Sequence, residues 1–236
     1  MTTRPYTAFV FALALSLPAI SSADTPVFSN LGTSPVYDPA GFNFVGNAQD
    51  STGNPNAQAD TFAPNITAQF SSVSLALSCF DVGDCPDSFN VILSADDGTD
   101  QPGAALESFV VAGTSLDVVS NTPPLTVLTS TLNPTLTSGT QYWISVTAPI
   151  TDSIAWNWNF TGDSSDQGTS TDGGATWFVS NPVTGFGLTP SAYAVTGTIS
   201  ATPEPGTLPL LFAGSALLAL LIAFNKRGSA PQKPRR

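Results

Sequence analysis

The stretch Ser71-Ser72-Val73-Ser74-Leu75-Ala76-Leu77-Ser78-Cys79 decides the fold class. Val73, Leu75, Leu77 and Cys79 alternate with Ser72, Ser74, Ala76 and Ser78, a period of two that turns one apolar row toward a core and one small polar row away from it. It reads as a single half-buried strand. Downstream, Phe89, Val91, Leu93 and Ala95 repeat the pattern, and Asp96-Asp97-Gly98-Thr99-Asp100-Gln101-Pro102-Gly103 supplies turn residues before a strand at 104–112. Further strands are expected at 125–129, 141–148, 153–160, 176–180 and 192–200. Upstream, residues 24–68 mix Asn, Gly, Pro, Ser and Asp with scattered aromatics, which reads as short strands joined by long turns. No stretch of this middle region has a helical period. The expectation is an all-β chain: one antiparallel β-sandwich, jelly-roll-like, over residues 24–201.

Charge is distributed as unevenly as hydropathy. The chain has 236 residues, and all seventeen of its acidic side chains fall between Asp24 and Glu204, a stretch without Lys, Arg or His. Arg4 precedes it, and Lys226, Arg227, Lys233, Arg235 and Arg236 follow it. Nucleic-acid binding is not expected, because neutralising phosphates takes Lys or Arg. The missing nitrogen also removes the base of a Ser or Cys triad and the lysine of a Schiff base. A carboxylate-pair glycoside hydrolase needs neither, but Glu107 and the aspartates mostly fall in predicted turns, so a non-catalytic module is expected.

The flanking segments read as export signals. Arg4, an apolar run from Ala8 to Leu17, Pro18 and then Ser21-Ser22-Ala23 follow the order of a secretory signal peptide, with cleavage expected after Ala23. Such a leader implies the Sec export machinery and a signal peptidase as partners. At the other flank, Leu208 to Phe224 is an apolar or small-residue run of 17. As a helix it would reach roughly 26 Å, enough to cross a thin bilayer. The cations that follow it place that side in the cytoplasm and the β-domain outside.

Pro203-Glu204-Pro205, then the apolar run, then Asn225-Lys226-Arg227 resemble, in that order, the PEP-CTERM sorting signal of Gram-negative bacteria. The resemblance covers residues 202–236. It implies recognition by an exosortase, a multi-spanning membrane enzyme, followed by release or transfer to an external anchor. Two prolines suit such a site, since they hold the backbone extended as a protease cleft requires. A second basic cluster after Gly228 departs from the usual pattern. Within the β-region, the serine-alternating strand, the Asp97-x-x-x-x-Pro102-Gly103 turn, Tyr142-Trp143, Ala155-Trp156-Asn157 and Gly173-Gly174-Ala175-Thr176-Trp177 resemble in succession the choice-of-anchor R domain, over residues 60–199. That family implies a surface domain without an assigned reaction.

Three constellations invite chemistry. Ser170-Thr171-Asp172-Gly173-Gly174-Ala175-Thr176-Trp177 is similar to the Asp-box hairpin of sialidases, where Ser170, Asp172, Gly174, Thr176 and Trp177 would be structural: the carboxylate bonds turn amides, glycine permits positive φ, and the aromatic ring packs beneath. Cys79 and Cys85 enclose five residues, and in an oxidising compartment a disulfide is expected of them. Asp96, Asp97 and Asp100, or Asp81, Asp84 and Asp87, offer oxygens to Ca²⁺, although neither group has EF-hand spacing and solvated turn aspartates are the plainer reading. No other cofactor is expected. Among the tryptophans, Trp156 and Trp158 share a strand face with Ile154 and Phe160 and read as core, whereas Trp143, flanked at two residues by Gln141 and Ser145, is the candidate for stacking on an extracellular polysaccharide.

Overall fold

The computed structural model describes residues 24–34, 36–46, 55–80, 85–119, 124–149, 153–180, 189–199 and 214–222. Residues 22–200 form one compact unit, and residues 1–21 with 201–236 form a second. In the first unit the strands are β1 (Asp24–Ser29), β2 (Asp38–Gly46), β3 (Ala57–Phe62), β4 (Ala68–Leu75), β5 (Leu77–Cys79), β6 (Ser88–Asp96), β7 (Pro102–Ala112), β8 (Thr126–Thr129), β9 (Thr135–Leu136), β10 (Tyr142–Thr147), β11 (Ser153–Trp158), β12 (Gln167–Ser170), β13 (Phe178–Ser180) and β14 (Tyr193–Thr198). They pair antiparallel in three sheets, ordered β1-β14-β4-β8 with β9 also on β4, β13-β12-β3-β10-β6-β7, and β2-β11-β5.

One apolar core lies between these sheets. It draws Phe70, Val73, Leu75 and Val195 from the five-stranded sheet, Val45, Leu77, Ile154 and Trp156 from the three-stranded sheet, and Phe62, Val91, Leu93 and Ile144 from the six-stranded sheet. The three antiparallel sheets share this core in a β-sandwich-like arrangement, and β4 of the five-stranded sheet runs on into β5 of the three-stranded sheet at a corner. At that corner the expected single strand 71–79 is two strands. Ala76 leaves both ladders there: its N–H donates to Ala192 O at 3.1 Å, and its carbonyl accepts the Asn157 N–H at 2.9 Å. Leu75 and Leu77 stay in the core on either side, so the apolar alternation runs through the corner unbroken.

Aromatic rings tie the layers together, Tyr193 lying 5.1 Å from Phe28 and 5.8 Å from Trp156 between ring centroids. The β6–β7 hairpin turns where predicted, with Gly98 at φ 88° and Asp100 at φ 59°, positions in the left-handed region that Gly and Asp tolerate. Strand ends differ from expectation by a few residues elsewhere; β3 falls in the stretch expected to hold short strands without set bounds, and β9 and β12 form where no strand is expected.

In the second unit, residues 214–222 are helical and exposed. No helix among the described residues is long and apolar enough to cross a membrane. The remainder of Leu208–Phe224 lies outside the described residues, as do residues 1–23 and Pro203-Glu204-Pro205.

Candidate functional site

The Ser170–Trp177 turn is held by its own side chains. Asp172 Oδ1 accepts the Ala175 N–H at 3.0 Å, the Thr176 N–H at 2.8 Å and the Ser170 hydroxyl at 2.7 Å, while Thr176 Oγ1 donates to Oδ2 at 2.6 Å. Ser170 Oγ in turn accepts the Gly174 N–H at 2.8 Å. Gly173 and Gly174 take φ of 75° and 96°. The Thr176 side chain and amide, ahead of the Ser170 hydroxyl, bring the Asp172 carboxyl down to about 2.

This turn lowers Trp177 onto the outer face of the six-stranded sheet. A Cβ on Gly168 would come 3.2 Å from Trp177 Cε3 and 3.4 Å from Trp143 Cζ3, so the missing side chain makes room for both indoles beside Ala59. Trp143 is fully buried there, and its Nε1–H donates to Asp96 Oδ2 at 2.9 Å. The expectation that Trp143 offers a face to a glycan is therefore corrected: its polar strand neighbours lie on a face that is itself covered. Trp156 is buried in the core as expected. Trp158 lies across Gly41 with Nε1–H bonded to Asn43 Oδ1 at 3.1 Å. Phe160, beyond the end of β11, is 59 % exposed rather than in the core.

The carboxylates of the β6–β7 turn are likewise engaged. Asp96 Oδ1 accepts the Gly98 N–H at 2.7 Å, and Asp97 Oδ1 accepts the Thr99 N–H at 2.7 Å and the Gln101 N–H at 3.3 Å. Thr99, through its side chain first, holds the Asp97 carboxyl below its usual range. Gln141 Nε2 donates to Asp96 Oδ2 at 3.2 Å and to Asp100 Oδ1 at 3.1 Å. Amide, hydroxyl and indole donors thus engage oxygens of all three aspartates, and among the described residues no three His, Cys, Asp or Glu side chains gather as a ligand set. Of the other acidic group, Asp81 and Asp84 lie outside the described residues.

Cys79, at the buried end of β5, is disulfide-bonded to Cys85 with Cα atoms 5.2 Å apart. The bridge pins the chain leaving the three-stranded sheet to the segment that enters β6.

Two carboxylates, Glu107 and Asp60, are buried in strands. Glu107 in β7 is 3 % exposed and spans to the chain after β8, accepting the Ser130 hydroxyl at 2.5 Å, the Thr131 N–H at 2.7 Å and the Leu132 N–H at 3.2 Å. Burial raises its pKa, but these hydrogen bonds outweigh it and hold the carboxyl below its ordinary value. Asp60 in β3 is fully buried and accepts the Ser191 N–H at 3.2 Å. Burial pushes its pKa up to about 8, against the bonds from Ser191 and with a further push from Asp163. The signal for both was the count of carboxylates in a region without a cation. Nothing local marked which two go inside.

No protein-family model matches this chain, and no match is found among curated proteins.

Proposed function

We propose that this chain is an exported bacterial surface or extracellular-matrix protein, a non-catalytic structural or adhesive module that an exosortase processes at Pro203-Glu204-Pro205. The partition of charge carries this reading: every cation lies outside the β-domain, and five of the six follow an apolar run that only Gly206-Thr207 separates from the Pro-Glu-Pro motif. Sec and signal peptidase would deliver the chain. The apolar run would hold it in the inner membrane until the exosortase passes it to the cell surface or medium, where extracellular polysaccharide is the partner such a module meets.

The β-domain's own features support a module rather than an enzyme. Its best-placed carboxylates are committed to turn and loop donors, and the disulfide suits an oxidising compartment. The jelly-roll reading rests on nested pairings: β1 with β14, β3 with β10, β4 with β8 and β6 with β7, as when one long hairpin is rolled up.

Charge tests the reading. Removing residues 1–23 leaves five cations against seventeen carboxylates, or −12, whereas cleavage beside Pro203-Glu204-Pro205 removes those cations and at most Glu204, leaving −16 or −17. Isoelectric focusing of fractionated cells should find the more acidic species outside the inner membrane, and replacing Pro203, Glu204 and Pro205 by alanine should trap the −12 form. Wild-type protein present solely as the −12 membrane form, in a host that has an exosortase, would leave an ordinary membrane-anchored β-domain.

A further inference from the structure

Asp60 is opposite Ile144 on β10 and Gln167 on β12, so the three side chains share the inner face of the six-stranded sheet. Asp60 is fully buried and Gln167 is 1 % exposed. Among the described residues Asp60 Oδ1 and both polar side-chain atoms of Gln167 have no hydrogen-bond partner. Three unmet polar atoms on adjacent residues are costly in a dry interior. An ionised Asp60 would add a buried charge with no cation to meet it, since none exists between Asp24 and Glu204.

Ser191 favours the anion, and the Gln167 side chain does so to a smaller degree, but burial outweighs both. Ser191 gives its N–H to Asp60 Oδ2, and its hydroxyl accepts Asn43 Nδ2–H at 2.9 Å. Asp163 adds negative charge, its own carboxylate taking Asn30 Nδ2–H at 2.9 Å and the Ser165 hydroxyl at 2.9 Å. Tyr193, whose phenol burial keeps neutral, donates to Thr61 O at 2.7 Å instead. From β10 the neighbour is Ile144, which is apolar.

We propose that Asp60 and Gln167 form an internal proton-binding site: at neutral pH Asp60 is a carboxylic acid donating Oδ1–H to Gln167 Oε1, and losing that proton loosens the edge hairpin β12–β13. The proton satisfies two of the three unmet atoms at once and leaves Nε2. β12 joins the domain through β3, and its far end begins the Ser170–Trp177 turn that lays Trp177 beside Trp143. An unpaired carboxylate in the β3–β12 pair therefore acts on the strand that holds the tryptophan cover in place.

The sign follows from burial, which raises the folded-state pKa to about 8. Between the ordinary aspartate value and about 8 only the folded state holds this proton, so its stabilising effect is full below that window and is lost as pH rises through it. For one proton the folding equilibrium constant falls tenfold per pH unit.

The test is a titration of the full chain carrying ¹³C-labelled aspartate carboxyls, with denaturation measured in parallel from pH 5 to 9. One carboxyl signal, absent from Asp60→Asn, should titrate near 8, with a tryptophan fluorescence change of the same midpoint. Asp60→Asn should lose one proton's worth of slope between pH 5 and 8. If every aspartate signal of the wild type titrates below pH 5, the proposal is wrong, and that holds even if the variant does not fold. A stoichiometric metal ion in the purified chain, missing from Asp60→Asn, would equally overturn it by making a cation the neutralising partner.

Discussion

The segments that flank the β-domain and the β-domain itself divide the chain's charge almost completely: the flanks hold all six cations, and residues 24–201 hold every acid but Glu204. In the flanks the cations sit beside apolar runs, an arrangement that concerns a membrane. In the middle, carboxylates must be accommodated with no ion pair available. The difference teaches that hydrogen-bond donors can replace cations one carboxylate at a time. Asp172 and Glu107 are surrounded by donors, and both are held below their ordinary pKa values. Asp60 has too few, and its pKa rises instead.

Removing the buried member of the donor-rich class breaks the contrast most strongly. Glu107→Ala leaves the Ser130 hydroxyl and the Thr131 and Leu132 amides without their acceptor, and should cost about 3 kcal/mol in denaturant unfolding. Glu107→Gln, which keeps an acceptor oxygen and loses the charge, should cost roughly half as much. Equal stability of wild type and Glu107→Ala would mean that donors do not substitute for cations here.

The disulfide sharpens the contrast next, because it links the β-domain to the oxidising compartment proposed from the flanks. For a loop this short, replacing Cys79 and Cys85 together by serine should lower stability by about 2 kcal/mol. Reduction of the wild-type protein should match it. Two alkylatable thiols in protein recovered from outside the cell would separate the fold from its expected compartment.

Smallest in effect is the exposed Asp-box carboxylate. Its pKa is depressed to about 2, so its contribution is present above the unfolded aspartate value and is lost as pH falls from there toward 2. Asp172→Asn should therefore flatten the acid limb of the stability profile and leave the limb above pH 5 unchanged. Together with Asp60, this places maximal stability at mildly acidic pH. An acid limb identical in wild type and variant would remove Asp172 from the account.

Legibility in the sequence followed the range of each interaction. The Asp-box could be read because every donor to Asp172 lies within four residues of it. Strands β6 and β7 could be read because one of their faces is buried and the other is not. The corner at Ala76 was invisible, since core-facing residues continue in phase through the change of sheet. The bounds of β3 within the stretch of expected short strands are illegible for a different reason: Ala57-Gln58-Ala59-Asp60-Thr61-Phe62 is buried on both faces, with alanines under the tryptophans and polar residues toward the core, so no apolar stripe announces it. Glu107 finds its partners more than twenty residues onward, where no spacing rule reaches.

The central claim, that the cation-bearing flanks are processing signals and the acidic β-domain is what remains, is tested most directly by intact mass and terminal sequencing of protein collected outside the inner membrane of an exosortase-bearing host. The account predicts a single chain that begins at Asp24 and ends beside Pro203-Glu204-Pro205, without any of the cations from Lys226 to Arg236. A mature chain that still carries those residues would contradict it.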